Sequence, residues 1–253
     1  MTPAAARRAP PCAGAYVGTA GWSVPKAYDA DFPGPGTHLE RYARVLPGVE
    51  INSSFYRPHQ PKTYARWAAS APPGFRFAVK VPKEATHTLR LVGAEAVLDR
   101  FLGEATALGD ALGPLLVQLP PSLTLDARAA GAFFAALRAR FFGSVACEPR
   151  HATWFTRAAD ALLRKHRVAR VAADPARVPG ADEPAGDPAL VYYRLHGSPR
   201  IYYSPYPDDY LRRLTSALRD AVARGAETWC IFDNTASGHA IGDAMKVMKG
   251  CRG

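Results

Sequence analysis

The sequence predicts an α/β fold, specifically a TIM-type (β/α)8 barrel. Eight short β-rich runs occur in order, several apolar at nearly every position, and helical patterns lie between most of them. Strands buried on both faces read as continuous apolar runs, and strands alternating with helices imply a parallel sheet. Eight such units in 253 residues match the size of one closed barrel. An open doubly wound sheet is the rival, but the G-x-G-x-x-G phosphate loop often found on it is absent.

The runs are Ala15–Thr19, Gly48–Ser53, Phe75–Val81, Leu115–Leu119, Ser144–Glu148, Ala169–Asp174, Leu190–His196 and Thr228–Phe232. After the first, Thr37-His38-Leu39-Glu40 is a capping box: the Thr37 oxygen accepts from the third amide while Glu40 reaches back. Pro61 suits a first helical position ahead of Lys62–Ala71. Gly93–Asp110 carries apolar residues at helical spacing, and Asp126 caps a helix to about Phe142. A shorter helix follows Trp154. Pro175–Pro188 holds four prolines and two glycines, so the sixth connection is expected to be a loop rather than a helix. Pro207-Asp208-Asp209 opens a long helix that Gly225 closes, and Gly238–Lys249 makes the last. Residues 1–14 are expected to be a disordered lead-in without the apolar stretch of a secretion signal, and 15–253 a single domain.

Hydrophobic residues at 48% and charged residues at 21% are ordinary globular composition, and no apolar run is long enough to span a bilayer. Cys12 and Cys251 lie near the termini, and Cys147 and Cys230 sit in strand-like runs, with no metal-binding spacing. Reduced thiols and a cytoplasmic location are expected. The net charge of +10 comes from 25 arginines and 7 lysines against 22 acids. The basic residues Arg138, Arg140, Arg157, Arg164, Lys165, Arg167 and Arg170 read as a solvated helical exterior in preference to a phosphate-attracting face.

Each run ends in residues that a purely structural sheet does not need. Gly18-Thr19-Ala20-Gly21-Trp22 closes the first; Glu50 and Asn52, then Ser53-Ser54-Phe55-Tyr56, the second. Lys80, with Thr86-His87 beyond, ends the third, Gln118-Leu119-Pro120-Pro121 the fourth, and Glu148-Pro149-Arg150-His151 with Trp154 the fifth. Asp174, Arg194-Leu195-His196-Gly197 and Asp233-Asn234 end the last three. Strand alternation puts Glu50 with Asn52, and Arg194 with His196, on common faces. In a barrel they would converge at the carboxyl-end mouth, where barrel active sites are built. An interior pair such as Glu148 with Arg194 could equally be a structural neutralisation.

These stretches, together with Phe77-Ala78-Val79-Lys80 and Phe232-Asp233-Asn234-Thr235, resemble the YecE-like family, domain of unknown function 72, from about residue 15 to 249. The resemblance implies a TIM-type barrel and no established activity or catalytic residues. The family often has asparagine where Asp233 and Asp243 stand here.

Three chemistries fit the residues. In a hydrolase acting on a phosphorylated or phosphodiester substrate, Lys80, Arg150 and Arg194 hold the anion, and His196 or Glu148 moves the proton. A second anion site is drawn where Gly197-Ser198 meets Thr235-Ala236-Ser237-Gly238. A metal variant of this chemistry uses Glu50, Glu148, Asp174, His196 and Asp233 as ligands to a divalent ion, against which the three nearby cations weigh. In a carbohydrate-active enzyme, Glu50 and Glu148 are the carboxylate pair, and Trp22, Tyr56, Trp154 and the 202–206 loop stack on sugar rings. A non-catalytic binder of nucleic acid or an anionic metabolite is the third. The first is the preferred reading, with Asn52 and Asn234 as further substrate contacts and a small anionic substrate as the partner.

Overall fold

The computed structural model describes residues 14–252. Its strands are β1 Ala15–Thr19, β2 Gly48–Ile51, β3 Arg76–Lys80, β4 Leu112–Gln118, β5 Val145–Glu148, β6 Val168–Arg170, β7 Ala172–Asp174, β8 Ala185–Gly186, β9 Leu190–Leu195 and β10 Glu227–Phe232. The helices are α1 His38–Val45, α2 Pro61–Ala69, α3 Glu95–Ala105, α4 Ala127–Arg138, α5 Arg157–Lys165, α6 Asp208–Ala223 and α7 His239–Arg252. The expected lead-in lies outside the described residues, apart from Gly14.

Parallel ladders run in two arcs, β2-β3-β4-β5-β6 and β1-β10-β9-β7. Two joints close them into a ring. Ala20 bridges Glu50, with the Gly21 amide donating to the Glu50 carbonyl at 2.9 Å, which joins β1 to β2. At the other joint β6 and β7 are the two halves of one strand: the lower half pairs with β5 and the upper with β9. Eight parallel strand positions around one cylinder make this a TIM-type barrel rather than an open sheet.

The connections follow local chemistry. Thr37 Oγ1 accepts from the Glu40 amide at 3.3 Å while Glu40 Oε2 accepts from the Thr37 amide at 2.6 Å, the reciprocal cap that starts α1. Pro61 sits in the first turn of α2, and Asp126 accepts from the Arg128 and Ala129 amides to start α4. The helix expected over 93–110 stops at Ala105, and the tighter turn that follows contains Gly109 at φ 55°, ψ −132°. The helix expected to reach Phe142 ends at Arg138, whose guanidinium turns onto the carbonyls of Gly143, His166 and Arg167. The sixth connection carries no helix. Its short β8 runs antiparallel to β6 instead.

Two apolar layers result. One lies between strands and helices; the other fills the barrel with Ala78, Leu116, Ala146, Ala169, Val171, Leu190, Tyr192, Trp229 and Ile231. Trp229 is the hub of the inner layer, stacked on Tyr16 at 4.7 Å and on Tyr192 at 6.2 Å between ring centroids. Its indole fits because Gly113 has no side chain: a Cβ there would stand 2.5 Å from the ring. Among the described residues no helix is long and apolar enough to cross a membrane. Cys147 and Cys230 are buried free thiols.

Several arginines assigned to a solvated exterior are structural instead. Arg138 ties four loop carbonyls, Arg164 donates to the Gly186 carbonyl at 3.1 Å, and Arg170 pairs with Asp160 at 3.2 Å while lying over Phe155. Much of the positive charge on this side is therefore committed to holding loops.

Candidate functional site

Alternation along each strand decides what the barrel encloses. On β9, Leu190 and Tyr192 point inward at the floor, so Arg194 and His196 point inward above them. By the same parity Ala78 is followed by Lys80, Leu116 by Gln118, Ala146 by Glu148, and Ile231 by Asp233. Polar residues that end five separate strands thus meet above an apolar floor.

Arg194 is the centre of the arrangement and is fully buried. Its Nε and Nη2 reach Glu50 at 3.0 and 2.7 Å, its Nη1 reaches Glu148 at 3.0 Å, and its Nη2 stands 3.1 Å from Asp233. Tyr192 donates its hydroxyl to Glu50 at 2.9 Å, and Gln118 donates to both oxygens of Glu148 at 3.1 and 3.2 Å. Burial opposes the charge on Arg194, but the carboxylates of Glu50, Asp233 and Glu148 hold its pKa well above the ordinary value. Burial likewise works against ionised Glu148, yet Arg150, Arg194 and His196 hold it well below the usual carboxylate range.

Above this cluster sits His196, whose Nδ1 is 3.0 Å from Asp233 and whose Nε2 is 3.4 Å from Glu148. Burial disfavours the imidazolium, but Glu148 and Asp233 outweigh it and raise the pKa. The Nε2 has no hydrogen-bond partner. Tyr202 lies edge-on to the ring at 5.8 Å. Arg150 donates through Nε and Nη2 to Glu148 at 2.9 and 2.8 Å. Across the mouth the Lys80 ammonium donates to Asn52 Oδ1 at 3.0 Å and rests 4.1 Å above the Phe55 ring. Among the described residues it has no carboxylate within ion-pair distance. Burial and the neighbouring Arg194 bring its pKa down to about 8. The residual space beside His196, walled by Glu148, Arg150, Phe155, Ala173, Pro175, Arg177 and Ala181, is only ≈ 20 Å³.

The sequence-derived candidates divide. Glu50, Asn52, Lys80, Glu148, Arg150, Arg194, His196 and Asp233 converge. Arg194 nonetheless cannot be the anion clamp expected of it, because three carboxylates already surround its guanidinium. The metal-ligand set is corrected for the same reason: Arg194 stands where an ion would sit between Glu50, Glu148 and Asp233. Asp174 lies apart, near Tyr206 and Tyr210, its carboxyl pKa raised by burial, and its carbonyl accepts from the Tyr206 hydroxyl at 3.1 Å. Among the described residues no group of three or more His, Cys, Asp or Glu is placed to hold a metal.

The aromatic candidates also move. Trp154 is 1% exposed and donates its indole N–H to the Leu123 carbonyl at 2.9 Å, so it has no free face for a sugar. Trp22 packs against Trp67 and Phe77, between the barrel wall and α2. Tyr56 alone of the three is open, 73% exposed against the edge of Phe55. Asn234 is buried as a loop tie, donating to the Ser204 carbonyl at 3.0 Å and to Asp243 at 2.8 Å. Half of the amides of the second anion site are committed elsewhere: Gly197 donates to the Tyr206 hydroxyl, Ala236 to the Tyr202 carbonyl and Gly238 to the Thr235 carbonyl. Sequence reasoning missed Tyr192 and Gln118 as partners of the carboxylates. Tyr192 stands two residues before Arg194, and that parity was the available signal.

Known proteins match this architecture. The family described as Protein of unknown function DUF72 matches residues 16–252. UPF0759 protein YecE of Escherichia coli is 31% identical over 105 residues, which are 42% of this chain and 37% of that protein, so the matched stretch spans well under two thirds of the relative. A solved DUF72 family protein from Enterococcus faecalis is similar with a TM-score of 0.78 at 21% identity, covering 94% of this chain and 95% of that one. Another from Thermotoga maritima gives 0.75 at 24% identity, covering 93% and 98%. At these identities the two structures establish the fold alone. Matched by its family along almost its whole length, the chain belongs to the YecE-like DUF72 family of unknown function.

Proposed function

We propose that the carboxyl-end mouth of the barrel is the active site of a hydrolase acting on a small phosphorylated or phosphodiester substrate. The observation that carries this reading is the position of His196. Its ring is fixed between Asp233 and Glu148, with Nε2 3.4 Å from Glu148 but making no hydrogen bond, on the same rim as a lysine that has no ion-pair partner among the described residues. Lys80 and Arg150 supply positive charge for phosphate oxygens. His196, whose charged form the two carboxylates favour, donates its proton to the departing oxygen as water attacks phosphorus. The P–O bond to the leaving group breaks as the bond to water oxygen forms, the proton the water gives up stays on an oxygen of the product phosphate, and His196 regains its proton from solvent. Asp233 and Glu148 orient the ring, and the Arg194 cluster fixes both carboxylates.

The carbohydrate reading is less well supported. A glycosidase needs one carboxyl kept protonated, whereas Glu148 is held ionised and both Glu50 and Glu148 grip Arg194. Two model substrates, p-nitrophenyl phosphate and bis-p-nitrophenyl phosphate, test the proposal. Hydrolysis should fall by about 100-fold or more in His196→Ala. Thermal stabilisation by inorganic phosphate should disappear in Lys80→Ala. Phosphate binding without turnover would replace the enzyme by a binder of anions or nucleic acid; neither binding nor turnover would sink the reading.

A further inference from the structure

The space beside His196 is too small for more than a reacting group, and a separate cleft of ≈ 280 Å³ is lined by Phe55, the ring that lies under the Lys80 ammonium. The connections after β2 and β3 and one face of α3 form its walls. Phe55 links the cleft to Lys80: it lines the cleft, carries the Lys80 ammonium over its ring, and meets the edge of His87 at 5.0 Å. The cleft contains three cations and two acids. Arg100 is matched by Glu84 at 2.5 Å, and Glu104 accepts from the His59 amide at 3.3 Å. Arg57 and Lys83 have no ion-pair partner among the described residues, so the cleft keeps a net positive charge even with Glu104 ionised. His87, against Phe55, reports the same field: burial first, then Lys80, Lys83 and Arg150, press its pKa down to about 4.

We infer that this cleft is a second anion subsite, and that the substrate is a small molecule with two anionic groups. One group meets Lys80 and Arg150 at the mouth, and the other meets Arg57 and Lys83 in the cleft. This rests on the proposed phosphate-binding mouth and names its substrate class. The volume is near the lower end of small-ligand sites, which fits a metabolite rather than a polymer. Two charged anchors on one molecule bind more tightly than either alone, because the second contact forms intramolecularly.

Calorimetric titration with fructose 6-phosphate and fructose 1,6-bisphosphate tests the inference, the pair differing by one phosphate. The bisphosphate should bind at least about tenfold more tightly to the native protein. In the Arg57→Ala/Lys83→Ala double variant this advantage should vanish while monophosphate affinity stays within about twofold. Both side chains are exposed, so the double variant should fold, and its unfolding midpoint provides the check. Equal affinity for the two ligands, or an advantage that survives in the variant, overturns the cleft and leaves the mouth intact. Binding of neither ligand overturns both.

Discussion

The inside of the barrel has two storeys built from the same strands by opposite chemistry. The floor is Tyr16, Tyr192 and Trp229 in stacked contact, closed by Ala78, Leu116 and Ala146. One alternation further along, the same strands present Lys80, Gln118, Glu148, Arg194 and Asp233. The floor needs only volume and stacking; the mouth needs every charge to find its partner. Between them runs Tyr192, an aromatic of the floor whose hydroxyl is hydrogen-bonded to Glu50 in the mouth. A dry base beneath a charged rim keeps water away from the lower side of the Arg194 cluster, which strengthens its ion pairs and makes a missing partner costly.

That contrast breaks most sharply at Arg194. Arg194→Met leaves Glu50, Glu148 and Asp233 facing one another without their shared cation, and should destabilise the protein by about 3–5 kcal/mol in urea unfolding. Adding Glu50→Gln to this variant should recover part of the loss, because it removes one of the unpaired charges. A loss under about 1 kcal/mol for Arg194→Met would mean that the cluster is not a structural unit. Tyr192→Phe tests the link between the storeys with a smaller effect. The ring and its stacking on Trp229 remain, but Glu50 loses a charge-assisted hydrogen bond, so about 1.5–3 kcal/mol should go. A neutral result would place the two storeys in separate energetic compartments.

The fold was legible because barrel strands announce themselves twice, by continuous apolar runs and by polar ends. Seven of the eight expected runs place their final residue within one position of a strand end, those ending at Glu148 and Asp174 among them. The site was half legible. Period-two alternation put Glu50 with Asn52 and Arg194 with His196, and the structure turns both pairs inward. Invisible in the sequence was the partition of charge. Nothing along the chain distinguishes Arg194, ringed by three carboxylates, from Lys80, which faces a phenyl ring and an amide. Trp154 misled for a related reason: an aromatic after a strand end can stack on a ligand or fill a corner, and only its bond to the Leu123 carbonyl decides.

The most specific test separates Lys80 from His196 within the mouth by pH. His196 has its pKa raised by the fold, so its stabilisation is complete below the unfolded value near 6.5 and declines as pH climbs through the folded value. Lys80 has the opposite dependence. Its pKa is about 8 in the fold against 10.5 unfolded, so between those values the unfolded chain binds more protons and stability rises with pH. Lys80→Met should therefore be more stable than the native protein near pH 7, with the gap closing as pH approaches 10.5. His196→Gln should lose its disadvantage over a lower range, above pH 6.5. Urea midpoints at several pH values for the native protein and both variants would measure these opposed slopes. If native and Lys80→Met curves run parallel from pH 7 to 10.5, the lysine is not desolvated in the mouth, and its place there as the free cation fails.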